Sequence, residues 1–300
     1  MADIPRLNGI IRALEAGKPA FTSFASPDPM TAVAFAGTKY DGIVYEMEHN
    51  PYDIMGLRDA LQYMLNRSQI AKSGSVAPAV TPIVRIPPNG GEYNQFLAKQ
   101  VLDAGAYGVV WPHISNAKEA YNAVAACRYP RPKGSENYEP EGIRGDGPGK
   151  AARYWGVGQQ EYYDRADVWP LNKKGEVLVI LMCEDVKGVA NLDDILKSVP
   201  GIGCILIGEG DLSQNLGYPR QYDHPVVRDA MAQIVGTCKK YNVPVGHPHV
   251  NSKNVERVLE EGYRFLMCAP VPTYPALEKG LELSGRSTGP KKEGAAPEGY

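Results

Sequence analysis

The chain has no Cys-x-x-Cys pair, no long uninterrupted apolar run, no GxGxxG fingerprint after its first apolar segment and almost no net charge. Each absence excludes something. A bilayer-spanning helix needs about 20 apolar residues in succession, and no such run exists. The opening stretch, MADIPRLNGIIRALEAGKPA, lacks an apolar core and a cleavage signature, so no signal peptide is expected. The five cysteines, at 127, 183, 204, 238 and 268, are odd in number and scattered. They read as reduced thiols in a cytoplasmic protein. A formal net charge of −2 offers no bulk attraction to nucleic acid or anionic membrane. The missing glycine fingerprint argues against a dinucleotide-binding open sheet.

What is present is a 300-residue chain with 43% hydrophobic residues, enough for one large α/β domain. Eight β-rich runs alternate with helical patterns: 20–26, 41–48, 81–87, 108–114, 176–185, 204–213, 243–250 and 265–271. Several, such as EVLVILMCED, are nearly all apolar, as strands buried on both faces require. Between them, Leu97, Val101 and Ala104, then Val227, Met231, Ile234 and Val235, then Val255, Val258 and Leu259 carry helical spacing. Asn191-Leu-Asp-Asp offers a further helix cap. Eight strands alternating with helices predict a (β/α)8 TIM barrel over residues 1–283. Residues 284–300 have almost no large aliphatic side chain and read as a flexible tail. The long Gly- and Pro-rich loop 129–149 reads as functional or as an oligomer contact.

Active sites of such barrels lie at the C-terminal strand ends. There the second run carries Glu46, Glu48 and His49, the third Arg85, the fourth His113, the fifth Glu184, the sixth Asp211 and the seventh His247 and His249. Glu184 and Asp211 end consecutive strands. Such strands lie roughly 5 Å apart, so the two carboxylates could grip one hard cation, Mg²⁺ or Mn²⁺. Arg85 sits in an apolar strand and needs an anionic partner, either a substrate oxygen or a barrel glutamate. His49 could move a proton near neutrality, with Asp103 to orient it, or could simply cap a helix. The turn Gly208-Glu-Gly-Asp-Leu-Ser could bind a small carboxylate through its backbone amides. Met182, Tyr45 and Trp111 add apolar surface near these ends, although strand alternation could turn Tyr45 or Trp111 outward, and His113, His247 and His249 add imidazoles that could equally be supports behind the site or surface residues.

The stretches YEMEHNPYD (45–53), PIVRIPPN (82–89), QVLDAGAYGVVWPHISNAKEA (100–120), GIRGDG (142–147), and LMCED with LIGEGDLSQNLGY together resemble the HpcH/HpaI family of metal-dependent 2-oxo-acid aldolases. They follow family order and span residues 45 to 218. The resemblance implies that Glu184 and Asp211 are metal ligands. Arg85 would contact the substrate's 2-oxo oxygen, and His49 with Asp103 would form the acid–base relay. Gly210 and Asp211 would hold the pyruvate carboxylate. It also implies a divalent cation (Mg²⁺, Mn²⁺ or Co²⁺) and a homotrimer or homohexamer. Four positions depart from the family pattern: Met182 replaces a common glutamine, Glu209-Gly210 a common Pro-Ala, and Glu46 a common aspartate.

The expected activity is class II pyruvate aldolase chemistry on two small molecules, a 2-oxo acid and an aldehyde. A 4-hydroxy-2-oxo acid would be cleaved to pyruvate and the aldehyde through an enolate stabilised by the cation and Arg85. The aldehyde half is expected to be aromatic or hydroxylated rather than a short dicarboxylate semialdehyde, because of the added imidazoles and aromatics. Rival readings are a malyl-CoA-lyase-like or oxaloacetate-using enzyme built on the same enolate, and a non-catalytic ligand-binding barrel. No basic groove for CoA is evident. Lys187, just beyond the fifth run, reads as a surface residue and not as a Schiff base.

Overall fold

The computed structural model describes residues 5–88 and 90–270, together with 276, 279, 281, 283 and 284. Among the described residues ten strands are formed: β1 (Ala20–Thr22), β2 (Phe24–Ala25), β3 (Gly42–Glu46), β4 (Thr81–Arg85), β5 (Gly108–Trp111), β6 (Val168–Trp169), β7 (Val177–Cys183), β8 (Cys204–Ile207), β9 (Val245–Val250) and β10 (Phe265–Cys268). The sheet order is β1-β10-β9-β8-β7-β5-β4-β3-β2, with β6 an extra partner of β7. All pairings are parallel. Only Ser23 separates β1, which pairs with β10, from β2, which pairs with β3. The two segments act as one broken strand that closes the ring, so the fold is a (β/α)8 barrel. All eight runs identified in the sequence supply its staves.

The apolar runs form strands because both of their faces are covered. Every residue of β7, VLVILMC, is buried between the barrel interior and the helical layer. The helix Phe96–Ala104 turns Leu97, Ala98, Val101, Leu102 and Ala104 inward. The helix Pro225–Lys240 does the same with Val227, Met231, Ile234 and Cys238. The expected cap at Asn191 is replaced. Asp185, two residues beyond β7, caps the helix Val186–Ser198 by accepting from Gly188 N at 2.7 Å. Asn191 lies within that helix and donates to Ser115 O at 2.8 Å. An Asp so close to the strand end starts the helix sooner than any later residue could. Apart from residue 284, the tail 284–300 lies outside the described residues.

The N-terminal end of the barrel is closed by a latch. Glu176, fully buried, accepts from Leu7 N at 3.0 Å and Asn8 N at 2.9 Å. It pairs with Arg165 at 3.0 Å and Arg6 at 3.5 Å. Asn8 caps the helix Gly9–Glu15 and donates to Tyr107 O and Glu176 O. Burial still pushes the Glu176 carboxyl above the usual range, against the two amides and two guanidiniums. The ion pair therefore stabilises less than its geometry suggests. Removing it leaves two buried amides without their acceptor and takes one carboxylate partner from each of two guanidiniums. Glu176→Ala is expected to cost about 3–5 kcal/mol, read as a lowered denaturant midpoint. An unchanged midpoint would show that the latch is redundant.

The loop 129–149 is strapped down by a buried arginine. Arg128 pairs with Asp167 at 2.7 Å and donates to Asn137 O and Pro140 O, each at 2.6 Å. Arg131 adds a second ion pair to Asp167 at 2.7 Å.

Candidate active site

In-register pairing places Glu46, the last residue of β3, beside Arg85, the last residue of β4. The guanidinium is buried. Its Nε donates to Glu46 Oε2 at 2.6 Å, and Nη2 closes the same pair. Nη1 lies 2.9 Å from Glu48 Oε2 and 3.9 Å from Met182 Sδ. The Phe24 ring packs under the guanidinium, 4.4 Å from centroid to Cζ. Glu46 also receives the amides of Glu48 at 2.8 Å and His49 at 3.1 Å through Oε1. One buried carboxylate thus sets both Arg85 and the turn that carries His49. The alternative of an ion pair with a barrel glutamate is realised, and Arg85 still faces the mouth through Nη1.

Glu48 is the hub of this cluster. Its carboxylate lies 3.6 Å from His49 Nε2 and 3.7 Å from His113 Nε2, besides Arg85. Burial raises its pKa to about 8; Arg85 opposes this, while Glu184, Glu46 and Asp211 reinforce it. Burial holds His49 below its ordinary value, helped by Arg85 and opposed by Glu46 and Asp211. His49 is therefore mainly neutral at pH 7.

Glu184 follows the end of β7 and is 2% exposed. Its Oε1 accepts from His113 N at 2.5 Å. Its Oε2 is buried without a hydrogen-bond partner among the described residues. Burial raises this carboxyl's pKa, and the charge of Asp211 adds to the effect. Gly208 explains how the group fits: a Cβ there would stand 2.2 Å from Glu184 Oε2. His113 adopts φ 57°, an uncommon conformation that aims its amide at Glu184. Gly90 makes room for that turn, since a Cβ there would fall 1.9 Å from His113 O. Asp211 is exposed in the first turn of the helix Glu209–Asn215. Its charge reaches Glu48, His49 and Glu184.

The fold thus brings Glu184, Asp211, Arg85 and His49 to one mouth. It does not bring Asp103 to His49. Asp103 sits on the helix Phe96–Ala104 and pairs with Arg144 at 2.9 Å. Arg144 also donates to Tyr162 OH at 2.7 Å and lies over the Tyr129 ring at 4.6 Å. A helix-layer carboxylate beneath the loop 129–149 is drawn to that buried guanidinium. Among the described residues, Glu48 is the carboxylate that lies beside the His49 ring, at 3.6 Å.

Four expected pocket residues also turn away. His247 packs edge-on against Tyr263 at 5.0 Å, within reach of the charges of Arg257 and Glu261 on the helix Val255–Glu261. His249 shares its parity on β9 and stacks on Tyr222 at 5.7 Å. Tyr45 and Trp111 are fully buried towards the helical layer, near Tyr154 and Cys127 respectively. These four do not furnish an aldehyde pocket, and the case for an aromatic aldehyde loses its footing. Missed in the sequence were Phe24, Gly90, the steric role of Gly208 and the hub role of Glu48. Only the Glu-Met-Glu-His run at 46–49 could have signalled the last.

Among the described residues no three His, Cys, Asp or Glu side chains converge as a metal cluster. The donor set nevertheless suits a hard cation that keeps most of its ligands as water and substrate. Glu184 presents one orphaned buried oxygen over a glycine cradle, and Asp211 adds a second carboxylate charge to the same mouth.

Residues 21–269 match the family model of the HpcH/HpaI aldolase/citrate lyase family. A hydroxypyruvate/pyruvate aldolase of Roseobacter denitrificans is 28% identical, over 88% of this chain and 91% of its own length. A 2-dehydro-3,6-dideoxy-6-sulfogluconate aldolase of Pseudomonas putida is 31% identical, over 82% of each chain. The crystal structure of an HpcH/HpaI aldolase/citrate lyase family protein from Burkholderia cenocepacia superimposes with a TM-score of 0.70 at 25% identity, covering 92% of this chain and 95% of that one. With the family model matched over most of the chain, the protein belongs to the HpcH/HpaI aldolase/citrate lyase family.

Proposed function

We propose that this protein is a carbon–carbon lyase, a pyruvate aldolase that cleaves a 4-hydroxy-2-oxo acid to pyruvate and an aldehyde. The observation that carries this is the convergence of Arg85, His49, Glu48, Glu184 and Asp211 at one barrel mouth. The name hydroxypyruvate/pyruvate aldolase borne by a relative supports pyruvate as the enolate half. Glu184 and Asp211 would hold a divalent cation, Mg²⁺, Mn²⁺ or Co²⁺, which supplies Lewis-acid polarisation of the 2-oxo acid. The Gly210–Asp211 turn would seat the substrate carboxylate.

The chain's own groups carry the remaining steps. As the C3–C4 bond breaks, its electron pair passes towards the 2-oxo oxygen, where Arg85 offsets the developing charge. The 4-hydroxyl loses its proton to neutral His49 as the C4 carbonyl forms. Glu48 orients that imidazole. Protonation at C3 completes pyruvate. Release of pyruvate from a panel of 4-hydroxy-2-oxo acids, with and without each cation, tests the reading. No release from any member would end it.

The remaining assignments are part of the same reading. Residues 1–283 form one domain, and the unpaired cysteines fit a reducing cytoplasm. Among the described residues no helix is long and apolar enough to cross a membrane. Met30, Val33, Met55, Tyr63 and Phe96 are all more than half exposed, which suits a homotrimer or homohexamer.

His49 gives a pH prediction. Its depressed pKa places the acidic limb of the rate profile below about 6.5, because protonation there removes the base. His49→Ala should abolish that limb and cut turnover about 10²–10⁴-fold, with cation affinity unchanged. Loss of cation binding in step with activity would make His49 a support of the metal site instead.

A further inference from the structure

The turn that carries Asp211 is bonded through its backbone: Gly208 N donates to Cys183 O at 3.2 Å, Leu212 N to Gly208 O at 2.9 Å and Ser213 Oγ to Gly210 O at 2.8 Å. It reads Gly208-Glu209-Gly210-Asp211, and Gly210 has open space on every side where a Cβ would lie. Its two glycines have no side chains to anchor it, and Asp211 itself is exposed. Yet a useful ligand must be held in one place.

Glu209, between the two glycines, is 3% exposed and points the other way. Its Oε1 meets His249 Nδ1 on β9 in a short hydrogen bond. Its Oε2 lies 3.8 Å from His247 Nε2. The two histidines are themselves fixed. His247 Nδ1 accepts from His249 N at 3.2 Å, which assigns the neutral ring's proton to Nε2, the atom facing Glu209. The His247 ring rests on Tyr263, and the His249 ring on Tyr222. The groups around His247 are Glu209, His249, Arg257 and Glu261. One carboxylate therefore ties the metal-side turn to the next strand, on the side away from the mouth.

We propose that Glu209, clasped by His249 and His247, is a positioning residue that fixes the Gly208–Asp211 turn and so sets where Asp211 presents its carboxylate. This rests on the reading of Asp211 as a cation ligand. It does not depend on any histidine touching substrate. It also gives a role to the two β9 histidines and to the departure from the family pattern at 209. Outer-sphere supports of this kind are worth about 10–100-fold in metal affinity.

The test is Mn²⁺ binding to the full-length protein, followed by the free-ion electron paramagnetic resonance signal, alongside thermal melting and turnover at saturating Mn²⁺. Asp211→Asn is the reference. Glu209→Ala is expected to weaken Mn²⁺ binding at least about tenfold. His249→Phe, which keeps an aromatic ring for Tyr222, should weaken it by a similar factor. Glu209→Gln, which keeps an acceptor for His249, should restore affinity to within about threefold of the parent. Saturating Mn²⁺ should recover most of the turnover in Glu209→Ala, because the catalytic groups are intact. Parent-like affinity in both Glu209→Ala and His249→Phe, while Asp211→Asn has lost binding, overturns the clamp and leaves the ligand reading standing. A fall in affinity that tracks lost melting temperature, with no rescue by Glu209→Gln, reduces Glu209 to a stability residue and also overturns it. Undiminished binding in Asp211→Asn overturns the ligand reading itself.

Discussion

Arg85→Lys is expected to lower turnover about 10²–10³-fold although the positive charge is kept. The guanidinium meets three demands at once. Nε and Nη2 bind Glu46, Nη1 faces Glu48 and the mouth, and the planar group lies on Phe24. A lysine ammonium has one nitrogen and cannot span both glutamates. Either Glu46 loses its partner, releasing the turn that carries His49, or the mouth loses its cation. The loss should fall mainly on turnover, because the charge that Arg85 offsets develops only as the C3–C4 bond breaks. Proton exchange at pyruvate C3, which needs the same enolate but no aldehyde, should collapse in parallel. Exchange at the parent rate with carbon–carbon cleavage lost would move Arg85 to the aldehyde side of the site.

Glu184→Gln and Asp211→Asn should each weaken divalent-cation binding by more than about 100-fold and remove nearly all activity. Chelator should inactivate the parent reversibly. The backbone supplies a third arm. Gly208→Ala would place a methyl 2.2 Å from Glu184 Oε2, so the carboxylate must move. That variant should lose cation affinity without losing either ligand. The three results together separate a placed carboxylate from a merely present one. Full turnover in metal-stripped protein would sink the mechanism, whatever the variants did.

Much of this site was legible because strand ends are legible. A run such as EVLVILMC must be buried on both faces, so it is a strand of a parallel sheet, and the Glu that follows it lies at the sheet's C-terminal edge. Arg85, His49 and Asp211 lie at the mouth for the same reason. His247 and His249 do not. Both belong to VPVGHPHV, whose small and proline residues leave the inward face unmarked. A one-residue change of parity reverses every side chain of a strand. In the fold, His247 meets Tyr263 and His249 meets Tyr222, outside the barrel interior.

Asp103 failed for a different reason. Its place in the chain suggested a partner for His49, but a carboxylate goes to the nearest desolvated cation. That cation is Arg144, brought in by the loop 129–149, more than forty residues away along the chain. Loop conformation over such a span has no periodic signal to read.

The sequence by itself determined the barrel, the order of its staves and the residues at most strand ends. Those follow from burial on both faces and from the alternation of two short periods. Only the tertiary structure decided which carboxylate meets which cation: Glu46 and Glu48 with Arg85, Asp103 with Arg144, Glu209 with His249. Charge pairing inside a protein is settled by the few ångströms between side chains from distant segments. The steric allowances that permit those distances, at Gly90 and Gly208, appear only when the backbones are already in place.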